Sequence, residues 1–288
     1  LNAVRFNDGS PVHINVPISE PLFEYDVPKL PDERDIFMLH ATTDSICVYE
    51  MATDFFRGKK LMVVLGQLTP EVVGNSLEAI EALKRVAVVI QEKLADDDIS
   101  PAQPIDEVLK MIGDDEAYRP DHLIYIGGTI VSKRLRQFLR ACKCKMSIVV
   151  NGIDEFCDTF MHTTDMIQGL PEDVIRIFAN ETEGVKKRDF VTLWDKAFDK
   201  ALAIRKTFKP RFSQMLAVKT FHEKMREEAV DGELFYGNSS AVRLGNIFSD
   251  QYIYVNRGVN GIEGSLSTAV GYAIAHQEEE DVYCVIGD

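Results

Sequence analysis

The sequence predicts an α/β protein, in which a doubly wound parallel-sheet central domain is followed by the beginning of a second parallel α/β domain. Three observations predict this class. Apolar runs such as 60–67 end in glycine and alternate with helical segments between residues 41 and 180. Charged helical sequence fills 181–230. A new series of strands, each followed by a small polar turn, then begins near residue 231.

The sequence divides into four predicted segments. Residues 1–40 contain a short strand closed by proline and a proline-rich stretch, which predicts the tail of one domain and a linker. Residues 41–180 are the predicted central domain, 181–230 a helical connection, and 231–288 the truncated start of the next domain. Because the chain begins on leucine, we expect it to be a piece of a longer protein.

The elements of the central domain follow from their patterns. A continuous apolar run at 60–67 is typical of a strand buried on both faces of a parallel sheet. Thr69-Pro70-Glu71 supplies a capping residue, a first-turn proline and an acid near the positive helix end. Further strands are predicted at 86–90, 122–128 and 146–150, and helices at 44–56, 69–83, 104–112 and 132–141.

The second half shows the same alternation. Apolar residues at helical spacing predict helices at 189–206 and 212–229, with Trp194 in the core. Strands are predicted at 233–237 and 251–255. Each is followed by small polar residues that open a helix, the second of them at 262–275.

Composition excludes several functions. A net charge of −14 argues against nucleic acid as a partner, because binding to a phosphate backbone depends on clustered lysine and arginine. No apolar run approaches the length needed to cross a bilayer, so membrane insertion is not expected. Five cysteines, several in apolar surroundings, fit reduced thiols in a cytoplasmic protein better than a disulfide framework.

The last thirty-three residues contain the most informative pattern. A glycine-rich loop at 256–264 precedes a helix of small residues, and a buried strand then ends in Gly287-Asp288. Ligands of open parallel sheets bind beyond the carboxyl ends of the strands. A carboxylate placed there after a permissive glycine suits a hard cation or a phosphate-bearing cofactor.

Two groups of cations could hold an anionic ligand. Arg243 follows Ser239 by one helical turn, so that hydroxyl and guanidinium can converge on one carboxylate. Lys133-Arg134 stands at a helix start, where the macrodipole already disfavours positive charge. A pair that opposes the dipole suits an anion-binding role, but two solvated surface cations explain the residues equally well.

These motifs resemble those of thiamine-diphosphate-dependent enzymes, and within that family the branch of menaquinone biosynthesis. The resemblance is carried by 237–243, by 256–269 and by Gly287-Asp288, which are similar to the family's diphosphate-binding domain. Residues 9–22 resemble the end of its pyrimidine-binding domain, and 132–135 its central basic motif. The matches lie in the expected order along nearly the whole chain.

The resemblance implies roles for particular residues. Asp288 would be the first protein ligand of Mg²⁺ (or Mn²⁺), and Gly261, Ile262 and Gly287 would contact thiamine diphosphate, with Ile262 as the apolar wedge beneath it. Glu263 stands where relatives often carry aspartate. The carboxylates of two substrates, 2-oxoglutarate and isochorismate, would be held by Ser239, Arg243, Arg257, Lys133 and Arg134.

The implied reaction is decarboxylation of 2-oxoglutarate and addition of the resulting succinyl carbanion equivalent to isochorismate, in a homodimer or homotetramer. The family's activating glutamate lies in a domain that this chain lacks, so we expect no turnover by the chain alone. Two alternatives remain open. One is another carboligase or decarboxylase of the family, similar to acetolactate synthase. The other is a non-catalytic module that binds a nucleotide or effector, although no glycine-rich dinucleotide or Walker motif is found.

Overall fold

The structure, a computed structural model, describes residues 35–96, 101–152, 158–230, 232–259, 261–276 and 281–287. The strands in these ranges are β1 (Phe37–His40), β2 (Leu61–Leu65), β3 (Val88–Gln91), β4 (His122–Ile126), β5 (Met146–Asn151), β6 (Asp165–Gln168), β7 (Glu233–Tyr236) and β8 (Val282–Val285). The α-helices are α1 (Ser45–Phe55), α2 (Pro70–Lys84), α3 (Ile105–Ile112), α4 (Lys133–Ala141), α5 (Pro171–Asn180), α6 (Asp189–Thr207), α7 (Gln214–Glu227), α8 (Ser240–Phe248) and α9 (Ser265–Ala275). One 3₁₀ turn covers Glu116–Tyr118.

The first sheet has six strands in the order β1-β6-β5-β4-β2-β3, and all of its neighbouring pairs are parallel. All five residues of β2 are buried, as a strand covered on both faces requires. The predicted α/β class with a parallel sheet is therefore confirmed.

Helices cover both faces of this sheet. On one face α1, α2 and α5 pack through residues such as Phe55, Ile80 and Phe178. On the other, α3, α4 and α6 contribute Val108, Leu139 and Trp194. Trp194 is fully buried, as the sequence predicted, and its indole N–H donates to the Tyr118 carbonyl at 3.2 Å.

Three elements of the first sheet were not assigned from the sequence. Strand β1 lies inside residues 1–40, which the sequence assigned to a tail and linker, so the sheet already begins at Phe37. Only one of its four residues is buried, because it is an edge strand, and its apolar signal is weak. Strand β6 has polar residues at both ends, and α5 follows it directly.

The second sheet pairs β7 with β8 in parallel. The strand predicted at 251–255 is wrong in extent, since only Tyr254 pairs with β7, through a bridge to Phe235. The flanking backbone groups bind the first half of the chain instead. The Ile253 N–H donates to the Lys93 carbonyl at 3.0 Å, and the Val255 carbonyl accepts from Gln67 Nε2 at 3.0 Å.

A third core joins the two sheets. Leu94 and Val131, from loops of the first sheet, pack with Val218 of α7, Tyr236 of β7 and Ile253. This packing brings together the loops that follow β3, β4 and β7. Among the described residues, no helix is both long and apolar enough to cross a lipid bilayer.

Candidate anion-binding site

One cavity of about 380 Å³ lies where loops of the two sheets meet. It is lined by Lys133 and Arg136 of α4, by Arg243 of α8 and by Arg257. No carboxylate is found among the described residues that line it. Four cations without a described acid give this cavity a positive potential that attracts anions, although the net charge of the protein is −14.

Arg257 is the most buried of these cations, with 8% of the residue exposed. Its Nη1 donates to Asn238 Oδ1 at 2.8 Å and its Nη2 to the Ile130 carbonyl at 3.3 Å. Its Nε is buried without a hydrogen-bond partner in the described part of the chain. Burial lowers the pKa of Arg257, an effect that Glu92 opposes. With both of its Nη atoms held by the protein, this guanidinium is fixed in the cavity wall and presents its positive charge to an anion bound there.

Arg136 is a cavity residue that sequence reasoning missed. Its Nη2 donates to the Ile130 carbonyl at 3.0 Å, so that one carbonyl accepts from both Arg136 and Arg257. Its Nε is also buried without a partner among the described residues. The available signal was its position three residues after Lys133, which places both on one face of α4.

Lys133 and Arg134 do not form the expected pair. Lys133 lines the cavity, whereas Arg134 lies outside it, with Nη1 3.5 Å from Asp106 Oδ1 and a half-exposed side chain. Consecutive residues of a helix point in directions about 100° apart, so a single cavity cannot readily contact both. Arg136 is the second cation that α4 supplies to the cavity.

Ser239 and Arg243 line the same cavity, as their spacing predicted. Ser239 immediately precedes α8 and has φ 73° and ψ −123°, a conformation that non-glycine residues rarely adopt. Its side chain makes no capping hydrogen bond to α8. Strain of this kind at a ligand-facing turn is common in binding sites.

The residues assigned to the cofactor are only partly described. Ile262 lines the cavity and remains 71% exposed. The Gly261 carbonyl accepts from Asn238 Nδ2 at 2.6 Å, which ties the glycine-rich loop to the residue that holds Arg257. Gly287 is exposed, and a side chain added there would meet no atom within 4 Å. Asp288, the predicted metal ligand, lies outside the described residues, as does the 9–22 motif.

No group of three or more histidine, cysteine or acidic side chains able to hold a metal lies within the described ranges. The cysteines described there, Cys47, Cys142, Cys144 and Cys284, are free thiols.

Glu92 lies behind the cavity and is 2% exposed. Its carboxylate accepts the N–H groups of Val131 at 2.5 Å and Ser132 at 2.8 Å, the two residues that lead into α4. Burial raises the pKa of Glu92 to about 7, although these two hydrogen bonds and Arg257 oppose the shift.

The sequence of the chain was compared with those of known proteins and protein families. No family model matches the chain. Curated proteins named 2-succinyl-5-enolpyruvyl-6-hydroxy-3-cyclohexene-1-carboxylate synthase are similar to it. The protein from Bacteroides thetaiotaomicron is 29% identical over 96% of this chain. Those from Phocaeicola vulgatus and Bacteroides fragilis are 30% identical, also over 96%.

The chain spans about half the length of the curated relatives it matches, 50%, 49% and 50% respectively. Similarity along nearly the whole chain agrees with the resemblance that the sequence motifs indicated. The chain is therefore related, along nearly its whole length, to about half of a 2-succinyl-5-enolpyruvyl-6-hydroxy-3-cyclohexene-1-carboxylate synthase.

Proposed function

We propose that this chain supplies the substrate-carboxylate site of a thiamine-diphosphate-dependent synthase of menaquinone biosynthesis. In the longer protein, 2-oxoglutarate would lose CO₂, and the remaining succinyl unit would add to isochorismate. The observation that supports this most directly is the cavity lined by Lys133, Arg136, Arg243 and Arg257 without a described acid. Two dianionic substrates need such a group of cations, because a chain whose net charge is −14 repels anions overall.

The described residues fit a ligand that is part anionic and part apolar. Arg136 and Arg257 line the cavity and both donate to the Ile130 carbonyl, so their positive charges are fixed where a carboxylate would bind. Ile262 presents an exposed apolar side chain to the same cavity, where a cofactor ring would cover it. When bound, thiamine diphosphate supplies the electron sink for loss of CO₂ from a 2-oxo acid.

The chain's own residues would bind and orient the substrates. Arg243 and Ser239, at the start of α8, would hold one carboxylate, and Arg257, Arg136 and Lys133 would hold the other. Fixed guanidinium groups keep the reacting carbon in place and stabilise negative charge without reorganising at the moment of reaction. The cofactor's Mg²⁺ (or Mn²⁺) is proposed at Asp288 from the family resemblance alone. A cytoplasmic homodimer or homotetramer is proposed for the longer protein on the same basis.

The test is a calorimetric titration of the chain with 2-oxoglutarate and, separately, with pyruvate. Arg243→Ala should weaken 2-oxoglutarate binding by about tenfold to a hundredfold, because one charge-assisted hydrogen-bonding group is lost. Pyruvate binding should change much less, since pyruvate has only one carboxylate. Arg134→Ala is the matched control: it removes a cation of α4 that lies outside the cavity, and affinity should stay the same.

Other outcomes favour the alternatives. Equal loss of both ligands in Arg243→Ala, or tighter binding of pyruvate by the unaltered chain, would support a carboligase similar to acetolactate synthase. Displacement of 2-oxoglutarate by adenine nucleotides would support an effector-binding module. Formation of product from 2-oxoglutarate and isochorismate by the purified chain would contradict the expectation that the complete reaction needs the longer protein.

A further inference from the structure

The cavity cations depend on a turn that is fixed from behind. The Ile130 carbonyl accepts from Arg136 Nη2 at 3.0 Å and from Arg257 Nη2 at 3.3 Å. These two arginines come from different parts of the chain, and this carbonyl is the acceptor they share. The positions of both guanidinium groups therefore depend on where the Ile130 carbonyl is held.

Residue 130 is held by Glu92. The next two backbone N–H groups, of Val131 and Ser132, both donate to the Glu92 carboxylate. Val131 packs in the core between the sheets, and Ser132 caps α4 through a hydrogen bond from the Leu135 N–H to its Oγ at 2.9 Å. A buried carboxylate that accepts two N–H groups of one turn fixes the position of that turn.

We propose that Glu92 is a positioning residue of the anion site: its carboxylate fixes the 130–132 turn, and through the Ile130 carbonyl it sets Arg136 and Arg257 for ligand binding. This inference deepens the proposed function and rests on it. Glu92 does not line the cavity and would not touch the substrate. It is buried too deeply to serve as a surface counter-charge.

Two charged groups act directly on the ionisation of Glu92. Arg257 favours the charged carboxylate, and Asp106 of α3 disfavours it. Arg136, Arg243 and Tyr125 face Arg257 in turn. The adjacent Lys93 pairs with Asp96 at 2.9 Å, so part of its charge is offset locally. With burial as the largest effect, the pKa of Glu92 rises to about 7, which brings its titration into an accessible range.

A positioning role for Glu92 and a purely electrostatic role predict opposite changes of anion affinity with pH. Protonated Glu92 has one oxygen bearing hydrogen, which accepts the Val131 or Ser132 N–H poorly, so the turn loosens and anion affinity should fall. If Glu92 acted only as a nearby negative charge, its protonation would add to the positive charge of the site. Anion affinity would then rise as the pH falls.

The experiment is a titration of the whole chain with 2-oxoglutarate between about pH 6 and pH 8, a range centred on the raised pKa. Affinity of the unaltered chain should decrease about five- to tenfold as the pH falls, which corresponds to the net contribution of about one ordinary hydrogen bond. Glu92→Gln imitates the protonated acid, so it should show the weak affinity at every pH. Glu78→Gln is the matched control: it removes an exposed carboxylate of α2 outside the cavity and should leave the profile unchanged.

A rise in affinity at low pH, a flat profile of the unaltered chain, or full affinity of Glu92→Gln at about pH 8 would overturn the positioning role. The profile of the unaltered chain tests this role even if Glu92→Gln does not fold, a defect that far-ultraviolet circular dichroism would show. Absence of 2-oxoglutarate binding by the unaltered chain at every pH would instead overturn the proposed function, and this inference with it.

Discussion

Replacing His222 by glutamine should make the protein more stable in mild acid relative to the unaltered chain. His222 lies on α7, is 5% exposed, and its Nε2 is 2.7 Å from the Tyr236 hydroxyl. Burial lowers its pKa to about 4, with Arg226 acting in the same direction and Asp250 against it. The fold therefore retains neutral histidine at pH values where the unfolded chain is already protonated.

The sign and size follow from that difference. A histidine whose pKa is lowered in the fold contributes stability that is present above its unfolded pKa of 6.5 and is lost as the pH falls through 4. The full change corresponds to about 3 kcal/mol in the free energy of unfolding. The variant and the unaltered chain share all other titrating groups. The free energy of unfolding of His222→Gln minus that of the unaltered chain should therefore increase by this amount as the pH falls from about 7 to about 4.

In the unaltered chain, Glu92 should offset the loss of stability in acid that His222 causes. Its pKa is raised from 4.5 to about 7, so its contribution to stability is present below 4.5 and is lost as the pH rises through 7. The two groups oppose each other over most of the same range. As the pH falls, Glu92→Gln should therefore lose stability relative to the unaltered chain, whereas His222→Gln should gain it.

Urea unfolding at several pH values measures both differences. The single tryptophan, Trp194, is buried against the first sheet, and circular dichroism reports on all helices, so agreement between the two signals tests two-state unfolding. The same pH dependence in His222→Gln and in the unaltered chain would refute the argument. It would mean that His222 becomes protonated in the folded state without cost.

The remaining predictions concern three backbone positions: Gly66, Gly74 and Ser239. Gly66→Ala should destabilise the chain by at least about 3 kcal/mol or prevent folding, because the new Cβ would stand 1.9 Å from the Gly128 carbonyl oxygen. In Gly74→Ala, within α2, the new Cβ meets no atom within 4 Å, so this substitution should stabilise the chain by about 0.5 to 1 kcal/mol. Thermal or urea unfolding measures both changes. Ser239→Gly should raise the free energy of unfolding by about 1 kcal/mol, because glycine adopts φ 73° without strain, and at the same time weaken 2-oxoglutarate binding in calorimetry. A less stable Ser239→Gly would show that the serine is not strained.

The fold class could be predicted because parallel strands buried on two faces leave a plain sequence signal. Strand β2 and the capped start of α2 at Thr69 are such cases, and both lie within a residue or two of their predicted ends. Strand β1 could not be predicted, since an edge strand of four residues with one buried side chain has almost no pattern. The region around Tyr254 was predicted as a strand because its composition is that of a strand. The backbone groups of the flanking Ile253 and Val255, however, bond to loops of the first sheet.

The candidate site was predictable to the extent that its residues lie at helix starts or in the glycine-rich loop. Ser239, Arg243, Arg257 and Lys133 were identified from motifs, and the structure brings them to one cavity, although their binding roles remain predictions. Arg134 was included because it follows Lys133, but helical rotation turns it toward Asp106. Glu92 was missed because nothing in its local sequence shows that a turn forty residues later needs its carboxylate.

The shared cavity also bears on how the protein loses function. Lys133 and Arg136 belong to the helices of the first sheet, whereas Arg243 and Arg257 belong to the second, so neither half of the chain holds a complete set of cations. Sliding or rotation of one half against the other would disperse the site while each sheet stayed intact. Ligand affinity therefore reports on whether the two halves are joined, whereas circular dichroism reports on whether each sheet and its helices are folded.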